Sequence, residues 1–128
     1  MIEAKPIAGA CGAEVIGVDL GGDLGDGQLK SIRSALLEHL VIFFRDQSLN
    51  AEQLMRFGRH FGELIVHPNL QAEGPFPEVI DVRREPEDEA IIGAEWHTDT
   101  TCLRAPPMGA VLVAHEVLCR THTYEVGA

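Results

Sequence analysis

Val41-Ile42-Phe43-Phe44 is the stretch that most limits what this chain can fold into. Four consecutive apolar residues with no alternation read as a strand buried on both faces, and something must cover each face. Helix patterns stand on either side of it. Upstream, "GGDLGDG" breaks the chain and Asp26 is placed to cap a helix in which Leu29, Ile32, Leu36, Leu37 and Leu40 share one side. Lys30, Arg33 and Glu38 take the other. Downstream, Asn50 and Gln53 have capping-box spacing. The helix they open carries Leu54, Phe57 and Phe61 as its apolar stripe and has Gly62 as a natural stop. Phe43, Phe44, Phe57 and Phe61 are all expected in the core.

The rest of the chain reads mainly as strand. Ile2 to Ile7 is one candidate and "AEVIGVDL" a second, rich in β-branched residues. "ELIVHPNL" leaves the second helix as an extended piece. "PEVIDVRRE" and "GAVLVAHEV" (Gly109 to Val117) are further strands, and "EPEDEA" between them is a solvated acidic loop. The order predicts an α+β domain, mostly β toward its C-terminal end. A chain of 128 residues is one domain by length.

Charge and cysteine content narrow the function. A formal charge of -10 disfavours nucleic acid, whose phosphates it would repel. No run approaches the roughly 20 apolar residues that span a bilayer, and the N-terminus lacks the layout of a secretion signal. Cys11, Cys102 and Cys119, odd in number and irregularly spaced, read as free thiols in a soluble, cytoplasmic protein. Arg45 beside Asp46 reads as a structural ion pair or turn anchor rather than a substrate contact.

One short pattern points to chemistry. In a strand residues i and i+2 point to the same side, so His97 and Asp99 converge while Thr98 faces away. An imidazole and a carboxylate so presented are two corners of a 2-His-1-carboxylate triad, the site that holds non-haem Fe(II) with open positions. The alternative is a His–Asp hydrogen bond that holds a loop. Trp96 reads as a wall that keeps water from such a site.

Taken together, "VIFFRDQSLNAEQLMRFGRHFGELIVHP" and "EWHTDTTCLRAPPMGAVLVAHEV" resemble the N-terminal half of the taurine dioxygenase (TauD/TfdA) family of Fe(II)/2-oxoglutarate-dependent dioxygenases. The matching pieces are Phe44-Arg45-Asp46-Gln47, Phe61-Gly62-Glu63, His67-Pro68, Trp96-His97-Thr98-Asp99 and Pro106-Pro107-Met108-Gly109-Ala110, in the family's order. The resemblance implies a double-stranded β-helix, a distorted jelly roll, here partial and flanked by helices. It implies that His97 and Asp99 bind Fe(II) and that 2-oxoglutarate serves as co-substrate. A small sulfonate, sulfate or carboxylate-bearing substrate is then hydroxylated with release of succinate and CO2. His67 carries the substrate-contact role by its place in the His-Pro pair, its alternative being an ordinary loop histidine beside a proline.

Two departures from the family pattern shape the expectations. Gly93 stands where taurine-specific members have an Asn, which argues against taurine itself. After Val117 the family's Pro-x-x-Gly-Gly-Asp-Thr turn is replaced by "LCRTHTYEVGA", so residues 1–117 read as family-like and 118–128 as a divergent tail from a shifted frame or early stop. The family's second metal His and its 2-oxoglutarate-binding Arg, which lie far downstream, have no counterpart, and neither Thr121 nor Thr123 is assigned to the co-substrate. Little or no activity is therefore expected of the chain alone, and unpaired strand edges point to self-association. The rival readings are a non-catalytic assembly module and a small zinc site of Cys102, His115, Cys119 and His122.

Overall fold

The computed structural model of the chain describes residues 2–70, 72, 74–83 and 95–116. Within them the order is β1 (Glu3–Pro6), β2 (Ala13–Ile16), α1 (Asp26–His39), β3 (Ile42–Phe43) and α2 (Ala51–Arg59). The sheet runs β1-β2-β3. β1 and β2 are antiparallel, with Ala4 opposite Val15, whereas β3 lies parallel to β2, with Ala13 opposite Ile42. A parallel pair needs a crossover, and α1 provides it.

The core lies where α1 and α2 meet the sheet. Val15, Leu20, Ile32, Ala35, Leu49 and Phe57 form its buried cluster, with Phe44, Phe61, Ile42 and Val113 packed against it. Phe57 meets Phe44 and Phe61 edge-on, at 5.7 and 5.3 Å between ring centroids. The Arg33 guanidinium lies 5.7 Å from the Phe61 ring centre and donates to the His60 carbonyl, fastening α1 to the end of α2.

α2 starts where the sequence places it. Asn50 Oδ1 accepts from Gln53 N and Gln53 Oε1 accepts from Asn50 N, both at 2.9 Å. Its end comes earlier, at Arg59, with His60 rather than Gly62 closing it. α1 is capped by Gly25, one residue before Asp26, whose carboxylate instead lies in the first turn where the helix dipole favours it. Its buried stripe is Ile32 and Ala35 rather than the leucines beyond them, and Leu37 is 80% exposed. The expected face is thus kept in part, with Ile32 fully buried and Leu29 and Leu36 half-buried, while Leu37 and Leu40 fall outside it.

Three other expectations are corrected. Val41 to Phe44 is not buried on both faces: Ile42 and Phe44 turn inward, while Val41 and Phe43 are exposed. β3 is the edge of the sheet among the described residues, so its outer side has no covering layer there. Residues 77–83 and 109–116 form no strand, and the rest of those two candidates lies outside the described residues. A strand is stabilised by its ladder, and no described neighbour offers one. Helix therefore outweighs strand in the described α+β fold, with 14 and 9 residues against 4, 4 and 2. Arg45 pairs with Glu14 and not with Asp46, its Nε lying 3.2 Å from Oε1, while Asp46 adopts a left-handed φ of 55°.

Candidate metal centre

His97 and Asp99 come together. Their Nε2 and Oδ1 atoms are 3.2 Å apart, on a segment that bends at Asp99 and Thr100 rather than continuing as a strand. His97 Nδ1 is 2.7 Å from the Glu95 carbonyl oxygen, which can only accept, so Nδ1 carries a proton. That contact orients the ring and leaves Nε2 as the nitrogen facing Asp99. Nε2 then faces a carboxylate oxygen, an arrangement satisfied by a proton or by a cation shared between the two.

The 3.2 Å separation fits either one, a hydrogen bond or two ligands of one ion. Among the described residues no third His, Cys, Asp or Glu joins them. The pair is open to solvent, the His97 and Asp99 side chains being 54% and 73% exposed. Trp96, expected as a wall, is fully exposed, because no described side chain packs over it. The Glu95 carbonyl was not foreseen; a backbone acceptor two residues before a histidine leaves no mark in residue identity.

His67 stands apart from this pair. It is half-buried in a hollow of about 340 Å³ whose lining includes Val66, Pro68, Leu70 and Pro77 but neither His97 nor Asp99. Its Nδ1 accepts from the backbone N–H groups of Asn69 and Leu70, at 3.2 and 3.1 Å. Pro68 favours the turn that brings those donors back. With Nδ1 accepting twice, the proton of the neutral ring sits on Nε2, which becomes a donor.

Of the possible zinc set, Cys102 is an exposed free thiol and His115 is exposed, while Cys119 and His122 lie outside the described residues. Gly93 and the segment from 117 onward lie outside them as well. Among the described residues no helix is long and apolar enough to cross a membrane.

The family model described as "Taurine catabolism dioxygenase TauD, TfdA family" matches residues 3–120. The chain belongs to the TauD/TfdA family. Members of this family use Fe(II) and 2-oxoglutarate, and the His97/Asp99 pair is of the ligand type that Fe(II) takes. An alpha-ketoglutarate-dependent sulfate ester dioxygenase of Pseudomonas putida is 34% identical over 115 residues, covering 87% of this chain and 36% of that protein. A (S)-phenoxypropionate/alpha-ketoglutarate-dioxygenase of Sphingobium herbicidovorans is 32% identical over 122 residues, covering 90% and 41%. A crystal structure assigned as an alpha-ketoglutarate-dependent taurine dioxygenase from Burkholderia xenovorans superposes with a TM-score of 0.59 at 40% identity, over 66% of this chain and 32% of that one. This TauD/TfdA chain thus spans 36% and 41% of the length of these two relatives.

Proposed function

We propose that the chain is the part of an Fe(II)/2-oxoglutarate-dependent dioxygenase that carries the His-x-Asp half of its metal site. The observation that carries this is the 3.2 Å approach of Asp99 Oδ1 to His97 Nε2, with Nδ1 committed to the Glu95 carbonyl. His97 and Asp99 would hold the iron as neighbouring ligands. When bound, the iron would let O2 act as the oxidant, one oxygen atom passing to 2-oxoglutarate as it leaves as succinate and CO2 and the other to a C–H bond of the substrate as a hydroxyl.

The substrate class we propose is a small organic anion, a sulfate ester, sulfonate or carboxylate. A sulfate ester and a phenoxypropionate figure in the names of the relatives above. His67 fits the substrate-contact role, since it lines an open hollow and its Nε2–H is left to donate to an oxyanion. The double-stranded β-helix is the architecture we propose for the longer whole, with the family-like portion reaching about Val117 and residues 118–128 diverging. Two ligands hold a metal weakly, so the polypeptide of 128 residues taken alone is proposed to turn over little or nothing.

Anaerobic titration of the purified chain with Fe(II) tests the metal reading. It predicts one weak site that is lost in both His97→Ala and Asp99→Ala; unchanged binding in either variant would sink it. Succinate formation by the chain alone, at a rate like that of a full-length relative, would overturn the proposed inactivity. A second reading, a non-catalytic assembly module, is favoured by the exposure of Leu37, Phe43, Trp96 and Leu112. A mass that rises with concentration in light scattering, with no iron bound, would select it.

A further inference from the structure

The His97/Asp99 pair has an anchoring problem. Both side chains are mostly exposed, so packing does not fix them. The Glu95 carbonyl holds the imidazole, but Asp99 owes its position to the path of the backbone around it. That path is unusual. Thr100 has a φ of 42°, a left-handed value that is a genuine outlier for a β-branched residue. Such a conformation persists only where its surroundings over-determine it.

Two hydrogen bonds surround it. Leu103 N donates to the Thr100 carbonyl at 3.1 Å, closing a turn. Thr101 Oγ1 donates to Thr98 Oγ1 at 2.9 Å, joining the residue before Asp99 to the residue after Thr100. The second bond spans the reversal that returns the Asp99 carboxylate to His97.

We propose that Thr98 and Thr101 are positioning residues whose hydroxyl clasp holds Asp99 against His97 and so preforms the metal pair. This rests on the reading of His97 and Asp99 as metal ligands. Both threonines are exposed, so the clasp does not build the core. Its effect falls on how often the carboxylate occupies the position facing Nε2. Losing it lowers the metal affinity by the fraction of time the pair is no longer formed.

The test uses the 128-residue chain and Mn(II) alone, with free Mn(II) read by electron paramagnetic resonance and thermal midpoints measured in parallel. Thr101→Val and Thr98→Val remove opposite ends of one bond. Each is expected to weaken Mn(II) binding about fivefold, as loss of one modest hydrogen bond does, with the midpoint unchanged. The double variant is expected to be no weaker than either single one, because the same bond is lost once. Thr101→Ser, which keeps the donor, is expected to restore the parent affinity.

The clasp is overturned if Thr101→Val binds Mn(II) as the parent does, if the two losses add, or if Thr101→Ser is as weak as Thr101→Val. If the parent itself fails to bind Mn(II), the ligand reading falls and the clasp falls with it. That failure shows in the parent sample, the former only in the variants.

Discussion

Gln47 Oε1 accepts the backbone N–H of Leu20 at 2.8 Å, across 27 residues of sequence. Its amide nitrogen donates to the carbonyls of Val18 and Arg45, at 3.3 and 2.9 Å. One side chain thus ties the loop after β2 to the turn after β3. Gln47→Leu removes all three bonds and leaves a part-buried N–H unpaired, at a cost of about 1–3 kcal/mol in urea unfolding. Gln47→Glu keeps the acceptor for Leu20 but sets a carboxylate against two carbonyls. It is expected to be no more stable than Gln47→Leu at neutral pH; a glutamate variant as stable as the parent would show that only the Leu20 bond counts.

The three phenylalanines around α2 are expected to be far from equivalent to Phe43. Phe57 is 4% exposed and touches two rings, whereas Phe43 is 48% exposed at the edge of the sheet. Phe57→Ala should cost about 3–5 kcal/mol, a large share of the stability of a small domain, seen as a much lower urea midpoint. Phe43→Ala should leave the circular dichroism spectrum and the urea midpoint nearly unchanged. Similar losses in both variants would mean that Phe43 is covered in solution, by a second copy or another chain.

What the sequence made legible was what short-range chemistry decides. Asn50 and Gln53 satisfy each other within one turn, so their spacing alone locates the start of α2. His97 and Asp99 converge as their two-residue spacing implies, although a bend and not a strand brings them together. The misses belong to features set by distant partners. Whether Ala35 or Leu37 faces inward depends on how closely α1 can approach the sheet. Whether Val111 and Leu112 join a strand depends on a neighbour to pair with. Trp96 could wall a site only if other side chains surrounded it. Family motifs pointed to the His97/Asp99 pair but did not show the Glu95 carbonyl or the Thr98–Thr101 bond, because neither depends on a residue type that the motif singles out.

The end of α1 carries a strain that can be relieved. Leu40 closes the helix with φ at 65°, and its side chain is 67% exposed, so it gains little from packing while paying for a left-handed backbone. Glycine adopts that conformation without steric cost. Leu40→Gly is therefore expected to stabilise the fold by about 0.5–1 kcal/mol, seen as a higher urea midpoint with an unchanged slope. A destabilised Leu40→Gly would mean that the exposed leucine is covered in solution.

His67 and His97 should carry their protons on opposite nitrogens. His67 Nδ1 accepts from Asn69 and Leu70, which assigns the neutral ring's proton to Nε2. His97 Nδ1 faces the Glu95 carbonyl and must hold a proton whether Nε2 is bare, protonated or metal-bound. Histidine ¹⁵N correlation spectra of the chain, recorded where His67 is neutral, are expected to show a bare Nδ1 for His67 and a protonated Nδ1 for His97. Asn69→Pro removes one of the two donors to His67 and is expected to raise the population of its other tautomer. A protonated His67 Nδ1 in the parent chain would remove the Nε2–H donor that suits it to an oxyanion, and with it the structural argument for its contact with an anionic substrate.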